Sequence, residues 1–278
     1  MNHIVPILKE IFSPQVLVRT PEPMIMSDFE QTQQYFEYGQ SDTVFRASYL
    51  FHAKWASKTI QNCKKVIDLG TGPANQLIII AKLNPHIKFY GVDLSEQMIE
   101  IARKNCKDLD IKNVDFIYDD ISKLASVEDH SFDGAISSVA LHHLNDKEDL
   151  ENSFRNLNRV LKKEHAVYIT DFLLLKNPAS LDYLVSLNKN QPDLFKLDYI
   201  NSLKASFFEK DFRELKDKYF PTLEIHKTLG AKFLMILKSQ SNQLNKETEM
   251  MWNYEFKNLG KENQKIYKNL SMLFALMT

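Results

Sequence analysis

The stretch Val66-Ile-Asp-Leu-Gly-Thr-Gly-Pro-Ala74 constrains the fold more than any other. Two of only 7 glycines in the chain, Gly70 and Gly72, stand one residue apart there, between an apolar run and a helical pattern. Such a stretch reads as strand, sharp turn and helix. Glycine lacks a Cβ, so it reaches unusual φ/ψ and lets a ligand approach the backbone. A second apolar run, Phe89-Tyr-Gly-Val-Asp93, ends in a carboxylate 19 residues after Ala74. An acid at that distance, closing the next strand, is placed to bind both hydroxyls of a ribose; taken alone, it is equally well a strand terminator. Together the two features imply a nucleoside cofactor.

Spacing narrows the class. Dinucleotide sites need three small residues so that a pyrophosphate can sit on a helix N-terminus. Here the pattern is Asp68-x-Gly70-x-Gly72-x-Ala74, and a carboxylate two residues before the first glycine would repel a pyrophosphate but suits an ammonium group. This stretch resembles the first motif of the class I S-adenosylmethionine-dependent methyltransferases, whose cofactor carries an ammonium at its methionine end. The third small position of that family is usually glycine. Ala74 departs from it, and is expected to act as a helix former with no need of a positive φ. Pro73 is expected in the first turn of the helix, where no N–H is required.

Further along, Val92-Asp-Leu-Ser-Glu-Gln-Met-Ile99 resembles the second motif of the family, in which the acid holds the ribose and the serine caps a helix. Phe116-Ile-Tyr-Asp-Asp-Ile121 resembles the third, in which a carboxylate accepts the adenine amino hydrogens and the next backbone N–H meets the ring. Alignment by the strand end gives Asp120 and Ile121, with Asp119 as the one-residue alternative. The run Phe132-Asp-Gly-Ala-Ile-Ser-Ser-Val-Ala-Leu-His-His-Leu144 resembles the strand-four region of methyltransferases acting on small molecules, particularly the ubiquinone/menaquinone-biosynthesis-like group. The resemblance implies S-adenosyl-L-methionine as cofactor and S-adenosyl-L-homocysteine as product, with Asp68, Gly70, Thr71, Gly72, Asp93, Leu94, Asp120, Ile121 and Ser138 around the cofactor.

Imidazole titrates near neutral pH, so His142 or His143 is a candidate general base. Because the two are adjacent, at most one is expected to face the substrate, and each is equally well a packing or capping residue. Asp171, after the fifth strand, either orients a histidine or ends the strand. Arg46 either meets the cofactor carboxylate or is a surface arginine. The chain lacks the Asn/Asp-Pro-Pro-Tyr run of exocyclic amino methylases, which weighs against a nucleic-acid base as acceptor.

From Val66 to Lys238 strand-like runs alternate with amphipathic stretches, the order of a parallel sheet with crossover helices. The strands expected are 65–69, 88–92, 114–118, 132–138 and 166–170, with helices over 96–107 (N-cap Ser95) and 147–162 (N-cap Asp146). A hairpin, 222–227 and 231–238, turns at Leu229-Gly230. The resulting fold class is α/β, a Rossmann-like, seven-stranded, mostly parallel sheet of order 3-2-1-4-5-7-6 with the last strand antiparallel. Residues 61–175 form its cofactor-binding core and 222–239 its closing hairpin. Outside it lie a helical N-terminal lid (1–60) with the aromatic run Tyr35-Phe-Glu-Tyr38, Phe45, Tyr49, Phe51 and Trp55, a helical cap (176–221) carrying Phe195, Tyr199, Phe207 and Phe208, and a helical tail (240–278).

Lys and Arg number 35 against 36 Asp and Glu, so no global field recruits nucleic acid or an anionic membrane. Two cysteines, Cys63 and Cys106, make no disulfide framework or metal spacing and read as buried packing. No apolar run approaches the length of a membrane span. The expectation is a soluble cytoplasmic, metal-independent enzyme that methylates a small, partly apolar molecule, with a homodimer through the helical extensions as its possible assembly. An RNA methyltransferase and a non-methylating S-adenosylmethionine-binding protein are the alternatives.

Overall fold

The computed structural model describes residues 4–22, 37, 44–187 and 192–274. Its centre is a seven-stranded sheet: β1 (Lys65–Leu69), β2 (Lys88–Asp93), β3 (Val114–Tyr118), β4 (Phe132–Ser138), β5 (Leu161–Phe172), β6 (Glu224–Lys227) and β7 (Leu234–Lys238). The order is β3-β2-β1-β4-β5-β7-β6, as the sequence implied. β1 to β5 run parallel, while β7 is antiparallel to both β5 and β6.

Helices cover both faces. α1 (Ile4–Phe12) leads into an extended strap over residues 14–22, where a wholly helical lid was expected. Backbone bonds from Val16 and Leu17 to the Lys176 carbonyl, and from Thr20 to that of Lys204, fasten the strap. α2 (Val44–Ile60) and α3 (Asn75–Leu83) lie on one side of the sheet with α4 (Glu96–Asp108). α5 (Lys147–Val160) packs on the other face. Between β5 and β6 come α6 (Pro178–Leu187), α7 (Asp193–Ala205) and α8 (Glu209–Tyr219). α9 (Lys246–Lys257) and α10 (Lys261–Leu273) close the described chain.

Local chemistry sets several boundaries. The Ser95 hydroxyl accepts the Met98 N–H at 3.2 Å, and the Asp146 carboxylate that of Asp149 at 2.9 Å, each meeting a helix-start N–H that has no partner within its helix. β5 begins five residues before the expected Ala166, because the polar run Lys162-Lys-Glu-His165 extends past the apolar part of the strand. The ladder shifts register there, between Phe132 and Gly134.

The first glycine turn departs from expectation at two residues. Ala74 has φ +67° and ψ +23°, in the left-handed region, and its side chain is fully buried. Pro73 sits in the turn before α3 rather than in its first helical turn. The cause is the close return of the chain: the Ala74 N–H bonds to the Thr71 carbonyl at 3.0 Å, and only a left-handed residue then aims the chain into α3. Alanine tolerates that conformation at a cost of about 1–2 kcal/mol, so this position does call for a positive φ.

The aromatic residues of α2 divide. Phe45 and Tyr49 face the cavity described below, whereas Phe51 packs against Tyr267 and Phe274, and Trp55 joins the same core. Tyr35, Phe36 and Tyr38 lie outside the described residues, as do Ala275 to Thr278. The tail packs on α2 of the same chain through Trp252, Tyr267 and Phe274. Cys63 and Cys106 are buried and unpaired with each other; burial pushes both thiols up to about 12. Among the described residues no helix is long and apolar enough to cross a membrane.

Candidate functional site

A cavity of about 460 Å3 opens at the C-terminal ends of β1, β2, β4 and β5, where ligands of open α/β sheets bind. Gly70, Thr71 and Gly72 line it, as do Asp93, Leu94, Asp120, Ile121 and Ser138. The backbone N–H groups of Gly70 and Thr71 both bond to the Val92 carbonyl at 2.9 Å, which locks the turn against the end of β2. A Cβ on Gly70 would come within 2.5 Å of the Ala140 Cβ, and φ there is +69°, so the two loops meet only because one is glycine. At Gly72 (φ +51°) a Cβ would meet nothing within 4 Å, which leaves its face open to the cavity.

Asp93 is fixed before any ligand arrives. Its Oδ2 accepts the Gly72 N–H at 2.8 Å and its Oδ1 that of Ser95 at 2.9 Å, one bond per oxygen, so lone pairs remain for further donors. Burial raises its pKa, and those backbone N–H groups offset part of the rise. Asp120 accepts from the Ser122 N–H and hydroxyl at 2.8 and 2.7 Å and from Lys123 Nζ at 2.7 Å. Desolvation raises its pKa, but the Lys123 and Ser122 contacts outweigh it and hold it below the ordinary value. Asp119 turns away to Ser126, whose N–H and hydroxyl it accepts at 2.8 and 2.5 Å. The Ser138 hydroxyl is buried with no hydrogen-bond partner among the described residues.

Asp68 is not on the cavity wall. It is buried behind Thr71, and burial pushes its carboxyl up to about 7, opposed by the Thr71 hydroxyl and reinforced by Asp93. Arg46 is also elsewhere, paired with Glu255 of α9 at 2.5 Å.

β4 ends in a strained corner. Val139, which lines the cavity, has φ +53°, rare for a β-branched residue, while its N–H still bonds to the Thr170 carbonyl at 2.8 Å. The chain then enters one 3₁₀ turn, Leu141–His143. Asp171, fully buried at the end of β5, accepts the Leu141 N–H at 2.7 Å and the His142 N–H at 3.3 Å, and its Oδ1 lies 2.7 Å from His142 Nδ1. It therefore both caps the turn and fixes the imidazole.

Both histidines line the cavity. Their rings are 4.3 Å apart, and His142 Nε2 and His143 Nδ1 each lie 3.3 Å from Oε1 of Glu22. One uses its far nitrogen and the other its near one, so neighbours on a tight turn reach the same point. Burial alone would lower the pKa of His142, but Asp171 and Glu22 outweigh it and raise it to about 9. Desolvation would raise Glu22, but the two imidazoles hold it below the ordinary value.

Glu22 and Arg19, on the strap, carry no periodic or motif signal in the sequence. Arg19 donates to the carbonyls of His142 (3.1 Å), Leu144, Asn145 (2.5 Å) and Ala205 (2.7 Å), and lies 3.8 Å over the Phe207 ring. It binds strap, 3₁₀ turn and α7 into one wall. His52 of α2 also lines the cavity; its Nδ1 lies 2.7 Å from the Tyr168 hydroxyl, and burial pushes its pKa down to about 3.

The far side of the cavity is apolar, with Phe45, Leu184, Leu187, Tyr199, Phe233 and Leu270 drawn from α2, α6, α7, the β7 approach and α10.

The profile of a methyltransferase domain family matches residues 60–218, more than half of the chain. The demethylmenaquinone methyltransferase of Thermotoga maritima is 29% identical over 131 residues, 45% of this chain and 53% of that protein, so the chain spans about half the length of this curated relative. A putative S-adenosyl-L-methionine-dependent methyltransferase from Methanococcus maripaludis superposes with TM-score 0.57 at 21% identity, covering 82% of this chain and 99% of the other. The plantazolicin methyltransferase BamL, in complex with a triazolic desmethylPZN analog and SAH, superposes with TM-score 0.55 at 16% identity, covering 84% and 85%. These structural likenesses are of fold. With the matched profile, the strand order and the glycine turn beside Asp93 in view, the chain belongs to the methyltransferase domain family, in its class I S-adenosylmethionine-dependent branch.

Proposed function

We propose that this protein transfers a methyl group from S-adenosyl-L-methionine to a small, partly apolar acceptor held between the His142–His143 turn and the cap formed by α6 and α7. One observation carries the reading: a single cavity runs from Gly70, Gly72 and Asp93 to Leu184, Leu187 and Tyr199, so a polar cofactor end and an apolar acceptor end share one enclosure. When bound, the cofactor supplies an electrophilic methyl on a sulfonium sulfur, open to in-line displacement.

The remaining work belongs to the chain. Asp93 would accept the ribose hydroxyls with the lone pairs left over from Gly72 and Ser95. Asp120 and the Ile121 N–H would meet the adenine edge. The open face at Gly72 and the unpartnered Ser138 hydroxyl would take polar atoms of the methionine end. Asp68, behind Thr71, would favour the ammonium at one remove. The apolar wall excludes water and aligns the acceptor, and alignment of this kind is worth about 7–11 kcal/mol in favourable intramolecular cases.

Isothermal titration with S-adenosylmethionine, S-adenosylhomocysteine and NAD tests the cofactor. Labelled methyl donor against a panel of small hydroxylated aromatics, carboxylic acids and RNA then tests the acceptor. Binding of the two adenosyl ligands and label in a small molecule is the expected result. NAD binding in their place, or label in RNA alone, overturns the reading.

A further inference from the structure

Among the described residues one group of side chains has the composition and spacing of a metal centre: Glu22, His142 and His143, whose ligand atoms all lie within 4.8 Å of one another. Glu22 Oε1 is 3.3 Å from His142 Nε2 and 3.3 Å from His143 Nδ1. Tetrahedral Zn²⁺ with nitrogen and oxygen ligands at about 2.0–2.2 Å has ligand-to-ligand edges of about 3.3–3.6 Å. Two of the three edges already have that length.

The surroundings are those of a metal-binding histidine. His142 Nε2 is buried and has no hydrogen-bond partner among the described residues, although it faces Glu22. Its other nitrogen, Nδ1, is held by Asp171 Oδ1 at 2.7 Å, and Asp171 is itself fixed by the Leu141, His142 and Phe172 N–H groups. A carboxylate on Nδ1 keeps a proton there and orients the ring, the arrangement that recurs behind metal-ligating imidazoles. A metal ion at Nε2 takes the place of the proton that faces Glu22 in its absence. Glu22 is steadied in turn by the Ser202 hydroxyl at 3.3 Å from Oε1. The ligands come from a strap and a turn far apart in the chain, so no linear spacing reveals them.

We infer that Glu22, His142 and His143 bind one divalent first-row metal ion of the Zn²⁺ type at the cavity wall, with its remaining position turned to the cavity for an oxygen of the methyl acceptor. Two histidines and one carboxylate with an open position are a donor set that Zn²⁺ and Fe²⁺ favour over Mg²⁺ or Ca²⁺. The acceptor class this selects is a small molecule with a hydroxyl, enol or carboxyl oxygen beside an apolar body. The inference rests on the proposed function for the acceptor's role, and not for the metal's binding. It replaces the expectation of a metal-independent enzyme.

The test uses the full chain, stripped with chelator and dialysed against Zn²⁺, with retained metal measured by plasma mass spectrometry and Co²⁺ substituted for its visible absorption. One equivalent per chain, a tetrahedral or five-coordinate Co²⁺ spectrum, and affinity about 10–100-fold weaker in Glu22→Gln and His143→Ala are expected. Zn²⁺ retained equally by both variants, or not retained by the wild type, overturns the site. Thermal unfolding checks that both variants are folded, and Glu22→Asp is the substitute if Glu22→Gln is not. S-adenosylmethionine titration on the same samples separates the two claims: metal without cofactor binding sinks the proposed function alone, and cofactor without metal sinks this inference alone.

Discussion

Asp171 of β5 and His142 of the 3₁₀ turn are joined twice, through the imidazole Nδ1 at 2.7 Å and through the backbone N–H at 3.3 Å. One buried carboxylate thus sets both the ring and the loop that carries it. Asp171→Asn keeps an acceptor for the backbone but turns an NH2 toward Nδ1, which forces the imidazole to carry its proton on Nε2. Methyl transfer should fall about 10–100-fold while cofactor affinity changes little. Steady-state rates beside cofactor titration decide this, and an equal loss in both would show that the loop has collapsed.

Asp93 gives a second expectation. Asp93→Ala leaves donors unpaired and should weaken cofactor binding by about 1–3 kcal/mol. Because Asp93 also holds Gly72 and Ser95, Asp93→Asn is the paired variant. Unchanged affinity in Asp93→Ala removes that residue from the site.

The two glycines of the turn should respond differently to alanine. Gly70→Ala drives a Cβ to 2.5 Å from that of Ala140 and should cost stability and cofactor binding together. Gly72→Ala meets open space and bears only the positive-φ penalty of about 1–2 kcal/mol, yet its methyl enters the cavity. Thermal melts and cofactor titration of both variants should therefore show loss of stability dominating in one and loss of affinity in the other.

Asp68 gives a pH signature. A carboxyl whose pKa is raised to about 7 by burial, from 3.8, favours the folded state in its protonated form. That contribution is full below pH 3.8 and is lost as the pH rises through about 7. Relative to Asp68→Asn, the wild type should lose about 4 kcal/mol of stability between pH 4 and pH 8 in urea unfolding. A constant difference across that range would place the titration elsewhere.

Arg19 should behave as the fastener of the strap. Arg19→Ala removes its bonds to the carbonyls of His142, Leu144, Asn145 and Ala205 and its stacking on Phe207. A loss of about 2–3 kcal/mol is expected for bonds from a charged donor, with faster proteolytic cutting before residue 22. Unaltered cutting would mean the backbone bonds to Lys176 and Lys204 suffice.

The sheet was legible because each strand from β1 to β4 is an apolar run bounded by a turn or cap, and because the hairpin turn at Gly230 marks the antiparallel edge. Its first strand, third strand and fourth strand have the bounds that hydropathy alone assigns. Where polarity and structure part, as in Lys162-Lys-Glu-His165 of β5, hydropathy stops short. Ala74 shows the opposite failure: helix propensity said nothing about the left-handed turn that closure onto Thr71 imposes. Gly72, Asp93 and Asp120 meet along one wall because consecutive strands end there, so a linear motif translates into a place. Glu22, Arg19, His52 and Tyr199, by contrast, come from segments with no fixed relation to the sheet, and only tertiary packing assembles them.

The segment that identifies the family begins at residue 60, whereas Glu22 and Arg19, which contact the His142–His143 turn, come before it. The turn at the end of β4 is thereby held in part by side chains from outside the segment that identifies the family. A substitution confined to this short strap would therefore reach the His142–His143 turn while leaving the glycine turn and Asp93 untouched.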